Sequence, residues 1–594
     1  METRLESSLH NRVYIIPDKD KNPSQVEHPW NIDVKSGSKP KKRLPKNTHI
    51  IDLFDRLGVG GRLLILGKPG AGKTTMLLEL AKVLVQRVEE DLNEPVPVLL
   101  SLSSWQNNQQ SISDWIVAEL NSGKYYKFPK NITKQWLKDG EIIPLLDGLD
   151  ELAAERQEKC VNKINEFLQP GNWIDQLVVC SRIEEYQLYS TQLALNTSVE
   201  LQPFNEEQIQ DYLRRTGNEQ LWNSIRDEPE LRELAQTPFL LNVIVLSSQK
   251  LSLNKWQEFQ SSAERLNYLL SAYVEQMLGR GYQGKRPSDE NTRRWLGWLA
   301  LKLIKQNETE FFIEKIQPTW LENKGQRLSY KLSYGLIVGL ILGLFFLLSY
   351  GLIRGLIIGL SGGLIIGLSG GLIRGNVVTF KKLHFSLKKN KYWLSHGLII
   401  GLISGLISGL FFLPSYGLVI GLIVWLIRVL VIGLIMGLVV GLMGVLVEVL
   451  DSPPTETTNF PNQGIRQSII NVSILTILIV PICAPFFYYF GLVNKVDYDL
   501  STAIITTLGF ALLLATLLGG GIPVMQHLTL RLILWRFGQG GIPWNYAGFL
   551  NYATDRLFLQ RVGGGYRFIH DLLRQHFANQ PLSALGSNNP RISQ

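Results

Sequence analysis

Apolar and polar positions divide the chain into three regimes. Between about residues 60 and 201, short apolar runs alternate with stretches of helical spacing. Residues 62–66 suit a central strand, and residues 75–84 repeat apolar side chains along one helix face. Further strands are predicted at 96–102, 142–146, 177–180 and 197–201. Such alternation implies a parallel sheet covered by helices on both faces, with a ligand at the C-terminal ends of its strands. From Lys331 to about Arg531 the pattern changes. Long apolar runs there carry Gly335, Gly339 and Gly343, then glycine at every fourth residue from Gly351 to Gly375, resuming at Gly397. Beyond this span the chain again has the mixed, charged pattern of a globular domain.

The glycine-rich span predicts an all-α, multi-pass membrane bundle. Residues 335–375, as one helix rising about 1.5 Å per residue, would be roughly twice the ~30 Å thickness of a hydrocarbon core. Two passes turning near 349–354 are therefore expected. A second block runs over 396–450 with a break near Pro414, followed by a polar linker at 451–456 and further candidate spans at 468–493 and 502–524. The basic run 381–391 falls inside and the loop holding Asp497 and Asp499 falls outside if the flanking domains share the cytoplasmic side, which requires an even number of crossings, about six. Glycines four apart form a slowly drifting stripe of small residues that lets helix backbones approach closely, with leucine and isoleucine on the opposite faces meeting lipid. The stripe serves equally a tightly packed anchor or a surface that rearranges. Arg354 and Arg374 fall near predicted turns, where snorkelling is expected, whereas Arg428 interrupts an apolar run.

Composition refines this picture. The chain has 594 residues, 45% of them apolar, and a net charge of +9. Its lysines gather at 39–46 and at 381–391, and the second cluster lies between apolar segments, so the charge is read as membrane-flanking and no nucleic-acid partner is expected. Cys160, Cys180 and Cys483 form no CxxC pair and read as buried thiols. The first fifty residues are polar, so no secretory signal peptide is expected and the globular parts are assigned to the cytoplasm. No HExxH is present.

The chemistry-bearing motif is Gly67, Lys68, Pro69, Gly70, Ala71, Gly72, Lys73 and Thr74, which fits GxxxxGK[ST] between a predicted strand and a predicted helix that begins at Thr75. Its glycines let successive backbone N–H groups face phosphate oxygens beside the positive end of the helix. Lys73 is placed to reach the β- and γ-phosphates, and the Thr74 hydroxyl to ligate Mg²⁺. About 75 residues on, an apolar strand ends in Asp147, Gly148, Leu149, Asp150 and Glu151. Asp147 at the strand tip is a candidate Mg²⁺ holder, and Asp150 and Glu151 are candidates to polarise the attacking water. The alternative is an acid-rich helix N-terminus. Arg182, at the tip of the strand 177–180, is a candidate γ-phosphate sensor, or else pairs with a surface acid. Residues 360–363 and 368–371 read Leu-Ser-Gly-Gly, but they lie over 200 residues past the acidic strand and lack the glutamine of a transporter signature.

Together these residues resemble the NACHT family of STAND nucleotide-binding ATPases. The resemblance rests on the loop at 67–75, on LLDGLDE at 145–151 and on VVCSR at 178–182, and continues through 201–213 and 237–241. It implies that Pro238 lies against an adenine base, and that His570, in the stretch 566–578, touches the β-phosphate of ADP in a closed state; a capping or core histidine is the alternative. ATP or ADP with Mg²⁺ are the implied cofactors. The implied fold is an α/β P-loop NTPase domain with helical and winged-helix-like domains, interrupted by the membrane bundle, which is most similar to multi-pass members of cyanobacterial type. The expected divisions are a polar segment 1–43, a nucleotide-binding domain 44–201, a helical domain 202–284, a winged-helix-like domain split between 285–330 and 531–580, the membrane region 331–530 and a tail 581–594. The expected function is a membrane-embedded switch with slow ATPase activity, closed with ADP and open with ATP. It would be a homo-oligomer when active and answer an unnamed trigger, with a role in stress or antiphage defence. The rival expectation is an ATP-driven transporter or membrane-assembly factor.

Overall fold

The computed structural model describes residues 32–35, 42–43, 49–56, 60–121, 128–169, 176–284, 286–321, 323–350, 352–369, 461–493, 500–518, 520–537 and 542–580. The chain forms two compact units. One comprises Met1–Phe311 with Asn545–Gln594, and the other is Phe312–Trp544.

The first unit is built on a sheet. Its strands are β1 (Ile32–Lys35), β2 (Lys42–Arg43), β3 (Arg62–Gly67), β4 (Val96–Ser101), β5 (Ile142–Asp147), β6 (Leu177–Arg182) and β7 (Thr197–Leu201), in the order β2-β1-β7-β3-β6-β5-β4. The five strands from β7 to β4 are parallel. They coincide with the five predicted apolar runs, and β5 is buried along its whole length, as a strand covered on both faces must be. The strands β1 and β2 were not foreseen. Ile32–Lys35 pairs antiparallel with β7 and extends the sheet from inside the polar N-terminal segment.

Register fixes what gathers at the sheet's C-terminal edge. Gly67 of β3 lies opposite Arg182 of β6, and Leu146 of β5 opposite Val179 of β6. The glycine-rich turn, Asp147 and Arg182 thus emerge along one edge. The helix Lys73–Glu90 follows directly and buries Met76, Leu77, Leu80, Ala81 and Leu84. Downstream, helix Glu206–Arg215 starts on a capping box of Asn205 and Gln208, and helix Ser262–Gly279 on one of Ser261 and Glu264.

The same unit holds a three-stranded antiparallel sheet. β8 (Glu310–Phe311), β9 (Leu559–Val562) and β10 (Gly565–Phe568) are ordered β8-β10-β9. Helices Asp289–Gln306 and Asp571–Asn579 accompany it. Segments more than 230 residues apart in the chain therefore share one small sheet. Tyr546 and Phe311 meet edge-on beside it.

The second unit is helical where described. Helices Lys324–Tyr350 and Leu352–Ser369 form an antiparallel hairpin whose turn falls within the predicted 349–354. Glycines meet across it: a Cβ added to Gly359 would enter the backbone of Gly343, and one added to Gly363 would enter the backbone of Gly335 and Gly339. The stripe read from the sequence is thus a backbone-to-backbone contact. Leu328, Leu332, Leu336 and Leu340, also four apart, are exposed on another face.

Two expectations change. Residues 502–524 do not form one straight helix. Helix Leu500–Leu518 ends, Gly520 takes a φ of +85°, and a new helix Gly521–Phe537 leaves at about 79°. The count of six crossings also finds no support. Among the described residues one helix, Gln463–Pro481, is long and apolar enough to cross a membrane, or two if the bent pair is one span. The block 396–450, the basic run 381–391, Arg374, Arg428 and the loop with Asp497 and Asp499 lie outside the described residues.

The hairpin contact yields a stability prediction. Gly363→Leu must separate two backbones and should destabilise the chain by about 3 kcal/mol, the upper end of ordinary overpacking costs. Leu340→Ala, at an exposed position, should stay within about 0.5 kcal/mol. Thermal melting of the two purified variants checks the difference.

Candidate functional site

The phosphate loop is shaped by its glycines. Gly70 and Gly72 have φ of +79° and +95°, values that few residues with a Cβ adopt. Gly70 is also crowded: an added Cβ would lie 2.8 Å from Thr237 Cγ2, 3.1 Å from Phe239 Cβ and 3.3 Å from His570 Nε2. The first helical hydrogen bond runs from Met76 N–H to Gly72 O. The N–H groups of Lys73, Thr74 and Thr75 precede it in the first turn, where an anion is favoured. Lys73 donates from Nζ to Gly67 O at 2.8 Å and to Lys68 O at 3.2 Å, so its ammonium lies folded over the loop. Burial lowers its pKa, with Asp150 the main opposing charge.

Acidic groups face the loop. Thr74 Oγ1 donates to Asp147 Oδ2 at 3.0 Å. This pair supplies one hydroxyl and one carboxylate, hard oxygen donors of the kind Mg²⁺ takes alongside phosphates and water. The residues fit that ion. Asp150 is engaged by Arg182. Its Oδ2 lies 2.8 Å from Arg182 Nε and its Oδ1 accepts the Arg182 backbone N–H at 3.0 Å, so both oxygens are engaged by one residue. Burial raises the Asp150 pKa, and Lys73 and Arg182 work against that rise. Burial also raises Glu151, and Arg567 offsets it.

Arg182 reaches further. Its Nη2 donates to Asp571 Oδ2 at 3.2 Å, across 389 positions of sequence, and its Nη1 to Glu185 Oε1 at 3.3 Å. His570 stacks on Phe239, with ring centroids 3.9 Å apart and planes at 14°. Its Nδ1 accepts the Leu572 N–H at 3.2 Å and caps the helix Asp571–Asn579. The capping alternative is therefore realised, while Nε2 faces Gly70. Burial drives the imidazole pKa down toward about 3; Asp571 opposes this, and Lys73, Arg182 and Arg567 reinforce it. The ring is neutral at pH 7. With Nδ1 accepting, Nε2 carries the proton and points a donor at the loop.

One cavity collects most of the predicted residues. Pro69, Gly70, Gly72, Lys73, Thr74 and Thr75 line it. Asp147, Asp150, Glu151, Arg182, Pro238 and His570 complete the predicted set there. Gly67, Lys68 and Ala71 are not on its wall; Gly67 and Lys68 serve through their carbonyls, and Ala71 faces Leu201 and Thr237 behind the loop. Pro238 opens the helix Pro238–Ser247, whose Asn242 donates to Pro238 O at 2.9 Å and accepts from Tyr212. Contributors that sequence reasoning missed include Phe239, Asn242, Asp571 and Arg567. Asp571 adjoins a residue that was singled out. Arg567 left only a period-2 signal, a polar position between Tyr566 and Phe568.

The family model described as the NACHT domain matches residues 62–220. That segment is a P-loop NTPase-like, nucleotide-binding domain, of a kind usually served by Mg²⁺. No curated protein matches the chain. Among solved structures, the crystal structure of Cdc6p from Pyrobaculum aerophilum aligns at 16% identity over 42% of this chain and 70% of that one, with a TM-score of 0.22.

The histidine gives a pH prediction. In the folded chain His570 stays neutral, while an unfolded histidine takes a proton below about 6.5. Between pH about 6.5 and about 3 the unfolded state therefore binds more protons. The contribution is complete above pH 6.5 and is lost as pH falls, by up to about 1.4 kcal/mol per pH unit. The melting-temperature gap between wild type and His570→Gln should shrink from pH 7 to pH 5; a gap that widens would mean a charged ring.

Proposed function

We propose that the chain is a nucleotide-operated switch, closed around ADP and opened by ATP with Mg²⁺, with slow hydrolysis resetting it. One observation carries this reading: the segment Ile569 to Asp571 lines the cavity over the phosphate loop and is tied to the neighbouring strand end by the Asp571–Arg182 ion pair. In the closed form His570 offers Nε2–H to a β-phosphate oxygen, and Pro238 with Phe239 offers an apolar edge to a base. Thr74 and Asp147 would hold Mg²⁺, which neutralises phosphate charge when bound. Lys73 and the loop N–H groups bind phosphate. Arg182 links what happens at the phosphates to Asp571, so a γ-phosphate oxygen competes with Asp571 for the same guanidinium.

The finer reading is that residues 331–530 embed this switch in a bilayer. The exposed leucines of helix Lys324–Tyr350 and the exposed isoleucines of Gln463–Val493 support lipid contact. Opening of the nucleotide unit would pass to the inserted segment through its two chain connections, and the open form would assemble as a homo-oligomer. The resemblance to NACHT proteins supports a role in stress or antiphage defence.

Two variants test the switch. Lys73→Ala should abolish co-purifying ADP, measured by chromatography of the denatured protein. Asp571→Asn removes one ion pair and should speed release of bound ADP by roughly tenfold, the effect of about 1.4 kcal/mol. Its stopped-flow release rate checks this, and an unchanged rate counts against the closed-state contact.

A further inference from the structure

We propose that Arg567 is a cationic lock on the metal side of the site: it holds the closed form in a Mg²⁺-poor state and must leave Asp147 and Glu151 before Mg²⁺ can settle there. The inference rests on the switch reading above and names how that site is regulated.

Arg567 is fixed by its place in the small sheet. It lies on the central strand β10, opposite Gln560 of β9 and Glu310 of β8. Neighbouring Tyr566 is buried and donates its hydroxyl to Asn551 Oδ1 at 2.7 Å. Strand alternation then turns Arg567 to the other face, toward the cavity that it lines. Its Nη1 stands 4.0 Å from Asp147 Oδ2, the same oxygen that accepts the Thr74 hydroxyl at 3.0 Å. Its Nη2 stands 3.6 Å from Glu151 Oε1. These are ion-pair separations rather than direct hydrogen bonds.

The charges divide into two sets. Asp150 is matched by Arg182 and faces Lys73. Asp147 and Glu151 share Arg567. A cation arriving between Thr74 and Asp147 competes with the guanidinium for the same carboxylate. The guanidinium cannot escape by losing a proton. It can only move, and its backbone is held between β8 and β9 on β10. That strand runs directly into Ile569, His570 and Asp571, the residues that cover the loop. Metal arrival and release of the cover are therefore coupled through one short strand. A diphosphate without metal is compatible with Arg567 in place, while a metal-bearing triphosphate opposes it.

The test uses the full chain, purified in detergent and loaded with a fluorescent ADP analogue. Mg²⁺ is titrated and the rate of analogue release is read. Arg567→Gln should lower the Mg²⁺ concentration at half-effect by roughly tenfold or more, the size of shift a charge within 4–6 Å imposes on a carboxylate. Arg567→Lys, which keeps the charge, should stay near wild type. An unshifted midpoint in Arg567→Gln overturns the lock. If that variant does not fold, hydrogen exchange on the wild type decides. Mg²⁺ added to the ADP form should increase exchange across residues 559–568, and unchanged protection overturns the lock. Analogue binding that is equal in wild type and Lys73→Ala would instead defeat the switch reading, whatever Arg567 does.

Discussion

Everything in the nucleotide-binding unit depends on how a parallel sheet presents its C-terminal edge. Register alone brings Gly67 level with Arg182 and carries Asp147 out beside them. Buried charges on that edge must be matched, because an isolated ion out of water is costly. Arg182 meets the requirement twice, for Asp150 within the sheet and for Asp571 from the far end of the chain. A single guanidinium thus joins the part of the molecule that binds phosphate to the part that covers it. The pair is half-buried, so its worth lies more in fixing geometry than in net stability.

The cover itself is short. One hairpin, β9 to β10, and the first turn of the helix Asp571–Asn579 supply Arg567, His570 and Asp571. Each meets a different partner: an acidic pair, an aromatic ring and an arginine. These contacts are all made by side chains a few residues apart, on one hairpin and the helix start that follows it.

Much of this was legible in the sequence. The five parallel strands announced themselves as apolar runs, because burial on both faces leaves no room for alternation. The phosphate loop could be read because positive φ demands glycine and the anion site demands a helix start. The hairpin turn at 349–354 followed from length alone. Arg567 could not be found this way. An arginine between two aromatics says which face it points to, but not what stands opposite, and its partners are over 400 residues away. Asp150 was visible as an acid near the site, yet its engagement by Arg182 depends on a register that no local pattern records. Strand β1 was hidden because four residues of mixed polarity gain their strand character from pairing with β7 and β2. The break at Gly520 was concealed inside a uniformly apolar run, where hydropathy is blind to a backbone reversal.

The glycine hairpin of the second unit has a consequence of its own. Its closest contacts are between backbones, at Gly359 against Gly343 and at Gly363 against Gly335 and Gly339. The two helices are joined across a single residue, between Tyr350 and Leu352, so neither can slide along the other, and the close approach of their glycines is held in one register.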